Sequence, residues 1–163
     1  MAGLRNRKPP AKPSRAFIVS ACLAGVNCTY RGKNKLRKQL RLLVAERRAI
    51  AACPEVMGGL AIPRENSEIQ GGAGPDVLTG KAVVVTRSGK DVSANYVRGS
   101  RRILAIARKY DIRKAILKSK SPACGCGMIY DGTFRGTLKK GDGVLAALLR
   151  KNGIAVYTEL DFT

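Results

Sequence analysis

The amino-acid sequence predicts a single three-layer α/β domain built on a mostly parallel sheet. Three observations carry that expectation. Short runs rich in Val, Ile and Ala alternate along the chain with longer stretches of helical periodicity. The runs are continuously apolar rather than alternating, as strands covered on both faces are. The length, 163 residues with 45% hydrophobic content, suits one domain able to bury a substantial core.

Residues 1–15 form a basic tail, with Arg5, Arg7, Lys8, Lys12 and Arg15 around Pro9, Pro10 and Pro13. The tail is expected to be disordered, and the domain proper to span 16–163. Residues 16–20 (AFIVS) read as the first strand. After a loop containing Gly and Asn, residues 35–48 read as a helix with Leu36, Leu40, Leu43 and Val44 on its apolar stripe. Residues 49–52 form a second strand, ended by Cys53-Pro54. From there to Gly80 the Gly- and Pro-rich sequence predicts irregular structure, with Asp76 to Leu78 leading into a third strand at 81–86 (KAVVVT).

A second helix is expected over 93–110, with Tyr96, Ile103, Ala107 and Tyr110 facing inward. Residues 114–118 form the fourth strand, and a long loop then leads to a helix at 143–152. Asp142 is suited to cap that helix, and Gly153 to the left-handed position just past its end. Residues 154–157 give the last strand. Right-handed crossovers between parallel strands put helices on both faces. In such Rossmann-like sheets, ligands bind outside the carboxyl ends of the strands.

Composition removes several kinds of chemistry. The chain has no histidine, which excludes a Ser-His-Asp triad, a Cys-His pair, Cys/His zinc fingers and a histidine general base. Proton transfer falls to Glu, Asp, Lys, Tyr or Cys. No run approaches the roughly 20 apolar residues of a membrane span. The N-terminus lacks the apolar stretch of a secretory signal, so a cytoplasmic setting with reduced thiols is expected.

Of the five cysteines, Cys22 follows the first strand, Cys53 the second and Cys124 the fourth. A parallel sheet brings these three loops to one edge. They could be small buried hydrophobes there. Zinc could take four of the five, although no C-x₂-C pair is present. A thiolate-only donor set suits an iron–sulfur cluster at least as well, and three thiols on a four-iron cube would leave one iron open.

Four segments, SACLAGVNCTYRG (20–32), CPEVMGGLAIPR (53–64), LKSKSPACG (117–125) and IYDGTFRGTLKKGDGVLAALLRKNGI (129–154), resemble the thiouracil desulfurase (TudS) family, long catalogued as a domain of unknown function. The resemblance implies a [4Fe-4S] cluster held by Cys22, Cys53 and Cys124, with Glu55 and Ser121 as the catalytic pair. It implies non-redox removal of sulfur from 2-thiouracil or a related pyrimidine, giving the oxo base and sulfide. Cys28 falls outside the implied ligand set. Cys126 stands where the family usually has a small residue, as a possible competitor for the fourth iron. TYRG at 29–32 replaces the more usual RYDG and loses its acid.

Asp131 reads as an Asx-turn residue before Gly132 or as a substrate contact. Lys118 and Lys120 read as solvated charges or as groups orienting a polar base. Lys and Arg number 31 against 11 Asp and Glu, a net charge of +20. That excess fits contacts to a phosphate backbone and raises a thiolated base within tRNA as an alternative substrate. A basic RNA-binding protein with a structural metal site, and an electron-transfer cluster protein, are the readings from other classes.

Overall fold

The protein was analysed as a computed structural model that describes residues 14–162. In chain order it contains β1 (Phe17–Ser20), a one-turn 3-10 helix (Ala21–Ala24), α1 (Lys38–Ala45), β2 (Ala49–Ala52) and α2 (Pro54–Met57). There follow β3 (Ser67–Gln70), α3 (Gly74–Leu78), β4 (Val83–Thr86), α4 (Ser93–Lys109) and β5 (Lys114–Leu117). The chain closes with β6 (Met128–Tyr130), β7 (Leu138–Lys140), α5 (Val144–Lys151), β8 (Ala155–Thr158) and a final 3-10 turn (Glu159–Asp161).

The central sheet has four strands in the order β2-β1-β5-β8, every pair parallel. Alternate residues serve opposite faces. Ile18, Ala115 and Leu117 join a large core with Ile103 and Ala107 of α4 and Leu145 and Leu149 of α5. Val19 and Ile116 join a smaller core with Leu40 of α1 and Leu23. Helices therefore cover both faces, as the three-layer expectation requires. Each fully buried Ile or Leu contributes about 1.5–3 kcal/mol relative to exposure.

Several expectations need correction. The predicted third strand is not part of the parallel sheet: β4 pairs antiparallel with β3, inside the stretch expected to be irregular. Asp76 to Leu78 belong to α3 rather than to a lead-in strand. A second antiparallel ribbon, β6–β7, lies in the segment read as loop. These short strands pair in isolated ribbons, so they carry little of the periodicity by which a strand is recognised.

The first helix is shorter than predicted because Lys35 and Arg37 donate their backbone N–H groups to the carbonyls of Cys22 and Leu23. That leaves Leu36 exposed. Tyr110 also lies outward, at the end of α4, where the Arg15 guanidinium stacks 4.3 Å from its ring centroid. Arg15 is thus held against the domain, while residues 1–13 of the expected tail lie outside the described residues. Gly153 takes the left-handed conformation expected of it, at φ 75. Asp142 does not cap α5; its Oδ1 accepts from the Gly127 N–H at 2.8 Å. Among the described residues no helix is long and apolar enough to cross a membrane.

Candidate metal-cluster site

Each strand of the parallel sheet ends at one cavity. From β1 the chain enters its 3-10 turn, which carries Cys22 and closes at Gly25 with φ 94, a left-handed conformation that favours glycine. From β2 it passes through Cys53 into α2, with Pro54 in the first helical turn. This helix sits directly against α4. A Cβ on Gly99 would meet the Pro54 carbonyl oxygen at 1.7 Å, and one on Gly58 would meet that of Asn95 at 2.0 Å. Two glycines thus fix how closely the Cys53-Pro54-Glu55 corner approaches the core.

The third loop is held by a helix N-terminus. The free N–H groups of Val144 and Leu145, at the start of α5, donate to the carbonyls of Pro122 and Ala123 at 2.9 and 2.8 Å. Ser121 completes the turn, its Oγ accepting from the N–H groups of Ala123 and Cys124 at 3.1 and 3.2 Å. The backbone of the Cys124 loop therefore supplies the cap that Asp142 was expected to provide. From β8 the chain brings the buried Glu159, which accepts from Lys118 Nζ at 2.7 Å and from the Ser119 N–H at 2.8 Å.

The cavity encloses about 860 Å³. Cys22, Cys53 and Cys124 line it, as do Glu55 and Ser121, so all five predicted site residues face one space. Cys28 lines it too, in the same small core as Cys22 and Cys53, with its carbonyl 4.0 Å from the Cys53 thiol. Cys126 does not, which removes it as a competitor for the site. Arg150 Nη2 donates to its sulfur at 2.6 Å, and its thiol points to the Val156 carbonyl at 3.7 Å. Lys118 and Lys120 line the mouth, joined by Arg31, Lys33, Lys35 and Arg37 in a basic rim. Asp131 forms the Asx turn, its Oδ1 accepting from the Thr133 N–H at 2.9 Å.

Three of the thiols, Cys28, Cys53 and Cys124, are shifted toward their protonated form. Bonding to Cys22, then burial, raises Cys28 to about 11. The neighbouring Cys28 side chain, then burial, pushes Cys53 far higher, and burial does the same to Cys124. A metal group bound here would have to displace those protons and would supply the positive charge the thiolates lack. Burial raises the Glu55 carboxyl above the ordinary glutamate value, against the pull of Arg64 beside it. Burial also acts to raise Glu159, but hydrogen bonds from Lys118 and Ser119 outweigh it and hold that carboxyl below the ordinary value.

Four wall residues were not read from the sequence as site residues, although Tyr96 was expected to face inward. Arg64 pairs with Glu55, and Tyr96 stands beside Glu55 and Ser67. Glu68 Oε2 accepts from the N–H groups of Gly132 and Phe134 at 2.8 and 3.0 Å, fixing the YDGTF loop. Glu159 had a signal available, because it immediately follows a sheet strand. Arg64 closes the CPEVMGGLAIPR segment, which marked it, whereas Glu68 had no signal, since its partners Gly132 and Phe134 lie in a distant loop.

The donor set is thiolate only and soft, which fits iron–sulfur ligation. Among the described residues no three Cys, Asp or Glu side chains close on one point as a single ion would require. Ligands of a cluster bind different irons, so their sulfurs need not meet. Fold and site together define an α/β protein whose strand-end cavity is lined by soft thiol donors.

Comparison with known proteins agrees. The family model described as 2-thiouracil desulfurase matches residues 17–161, and the chain belongs to that family. An uncharacterized protein of Bacillus subtilis (strain 168), YbbK, is 47% identical over 143 residues, which is 88% of this chain and 95% of that one. A solved structure described as a [4Fe-4S]-dependent thiouracil desulfidase, TudS, superposes with a TM-score of 0.80 at 44% identity. That match covers 90% of this chain and 92% of the other.

Proposed function

We propose that this protein removes sulfur from a thiolated pyrimidine, 2-thiouracil or a related base, with a [4Fe-4S] cluster held by Cys22, Cys53 and Cys124. The observation that carries this reading is the convergence of three strand-end thiols with Glu55 and Ser121 in one cavity. When bound, the cluster supplies a thiophilic Lewis-acidic iron for the substrate's sulfur. In the net reaction, water's oxygen replaces sulfur on the carbon and sulfur leaves as sulfide, with no electron gained or lost.

The chain's own residues handle protons and placement. Glu55, two residues from a ligand and with its pKa raised by burial, takes or gives the proton of the attacking water at its carboxyl oxygens. Ser121 uses its oxygen to accept from two backbone N–H groups, which leaves its O–H to donate into the cavity. Lys118, fixed by Glu159, orients a polar edge of the base.

The basic rim of Arg31, Lys33, Lys35, Arg37 and Lys120 favours a phosphate-bearing form of the substrate, thiouridine within tRNA included. Anaerobic reconstitution, followed by sulfide assays on free thiouracil and on thiolated tRNA side by side, tests both readings. Expected is a brown protein with about four irons per chain that releases sulfide. A colourless protein with one zinc overturns the cluster reading. Salt-sensitive RNA binding without sulfide release would instead identify a basic RNA-binding protein with a structural metal. Sulfide from the free base alone would remove tRNA as substrate.

A further inference from the structure

The pole opposite the cavity gathers positive charge in the turns that lead into the parallel sheet. The four-residue strands separate it from the cavity end by about 13 Å, at the usual rise per residue. Arg47 and Arg48 precede β2, Arg113 precedes Lys114 at the start of β5, and Lys151 ends α5 ahead of β8, all exposed. The first residues of the strands stand in one row, Phe17 opposite Ala49 and Lys114, and Lys114 opposite Ala155. These cations therefore share one edge of the sheet. The acids within the same turns are Glu46 and Asp111, and each is already paired, with Arg48 at 3.3 Å and with Arg113 at 2.7 Å.

Helix architecture does not account for this excess. The negative end of a helix dipole favours cations in the last turn and fades beyond it. That covers Arg108 and Lys109 of α4 and Lys151 of α5, but leaves Arg113 and Lys114 unexplained. Just past its end α5 has Gly153 at φ 75, a left-handed conformation that favours glycine. At the same position α1 has Arg47 at φ 58, accepting strain that a glycine would relieve. Tyr110 stands among these charges 41% exposed, with the Arg15 guanidinium 4.3 Å and Lys109 Nζ 5.6 Å from its ring centroid. A recess of about 200 Å³ opens at the same pole, with Arg108, Asp111, Arg113 and Asn152 in its wall. The described chain begins at Ser14 and enters β1 here, so Arg5, Arg7, Lys8 and Lys12 of the preceding segment are tethered to this pole.

We propose that this pole is an RNA-binding surface, separate from the sulfur site, that takes the phosphate backbone of an RNA with unpaired bases. It goes beyond the desulfuration reading and does not depend on it. Most of the cations here are arginines, whose planar fork meets phosphate oxygens two at a time. Tyr110 adds a ring for an unpaired base, which RNA loops present and a DNA duplex does not. A membrane is the poorer fit, because surface-binding elements insert apolar side chains. Of the exposed large apolar residues, only Tyr110 lies in these turns. RNA held at this pole leaves the mouth of the cavity open to a small thiolated base.

The full chain, reconstituted anaerobically, is titrated against a sulfur-free fluorescent RNA hairpin with a single-stranded loop, and anisotropy follows binding across a salt series. One variant combines Arg47→Gln, Lys114→Gln and Lys151→Gln. A control combining Lys81→Gln, Arg87→Gln and Lys90→Gln removes the same charge around β4. Expected is binding at least ~10-fold weaker in the first variant, with the salt slope reduced by about 2–3. The control should weaken binding by at most ~3-fold, since salt screens charges far from the RNA. Tyr110→Leu should weaken the hairpin complex by at least ~5-fold and leave a fully paired RNA unaffected. If the triple variant folds poorly, Lys114→Gln alone should still lower the slope by about 1. Equal weakening by the two triple variants would overturn the proposal, as would tighter binding to duplex DNA or to phosphatidylserine vesicles than to the hairpin. Sulfide release from free thiouracil should be the same in every protein. Its absence throughout would overturn the desulfuration reading and leave the RNA surface standing.

Discussion

Arg64 and Glu55 form a clamp in the wall of the cavity: Arg64 Nε donates to Glu55 Oε2 at 2.6 Å while the same guanidinium holds the Cys28 carbonyl. Their side chains are only 9% and 16% exposed, so solvent screens the pair little. Arg64→Ala leaves a buried carboxylate unpaired and releases the Cys28 loop. Urea unfolding of the metal-free variant should show a loss of about 3–5 kcal/mol. Arg64→Lys keeps the charge but loses the forked geometry, and should fall between the two. Equal stability of all three proteins would mean that the clamp is energetically idle.

Replacing Glu55 with Gln separates proton transfer from metal holding. Glutamine preserves shape and can still meet Arg64 through its amide oxygen, but it cannot carry the proton. Iron content should be unchanged while the rate of sulfide release drops by about 10²–10⁴-fold. Retained activity would move the proton work to another group.

Glu159 makes stability depend on acid. Its folded carboxyl is held below the ordinary value, so its contribution is complete above the unfolded pKa of about 4.3 and fades as pH falls through the lower folded value. Glu159→Gln removes that dependence. The metal-free variant should be less stable by about 1.5–3 kcal/mol at neutral pH, with the gap closing in strong acid. A gap constant from neutral pH into strong acid in parallel urea titrations would contradict this assignment.

Gly99 governs the Cys53 corner from a distance. A Cβ at this position would collide with the Pro54 carbonyl, which is backbone and cannot swing away. Gly99→Ala should cost about 1–3 kcal/mol and lower iron occupancy after reconstitution, because α2 must shift and carry Cys53 with it. Gly89→Ala, where an added Cβ meets nothing within 4 Å but φ is 90, reports backbone strain alone. It should lower stability without lowering iron occupancy.

Much of this was legible from residue order. Strand runs such as FIVS and KAIL are buried on both faces, so their composition declares them. The strand-end rule then places Cys22, Cys53 and Cys124 at one edge of the sheet. What escaped depended on partners distant in sequence. β3 and β4 are recognisable only as a pair, and the ion pair of Arg64 with Glu55 exists only once the loop after α2 folds back. Asp142 failed as a cap for the same reason: the carbonyls that replace it belong to the Cys124 loop. Cys28 and Cys126 look alike in sequence, yet one enters the site and the other bonds Arg150.

The origin of the three thiols on separate strands of a parallel sheet also orders the protein's assembly. In a zinc finger, closely spaced ligands let the metal organise the chain around itself. Here Cys22, Cys53 and Cys124 become neighbours only after β2, β1 and β5 have paired side by side. If these three residues hold the proposed cluster, the sheet must pair before the site that receives it exists. Assembly of the proposed cluster would then be a delivery to a finished vessel.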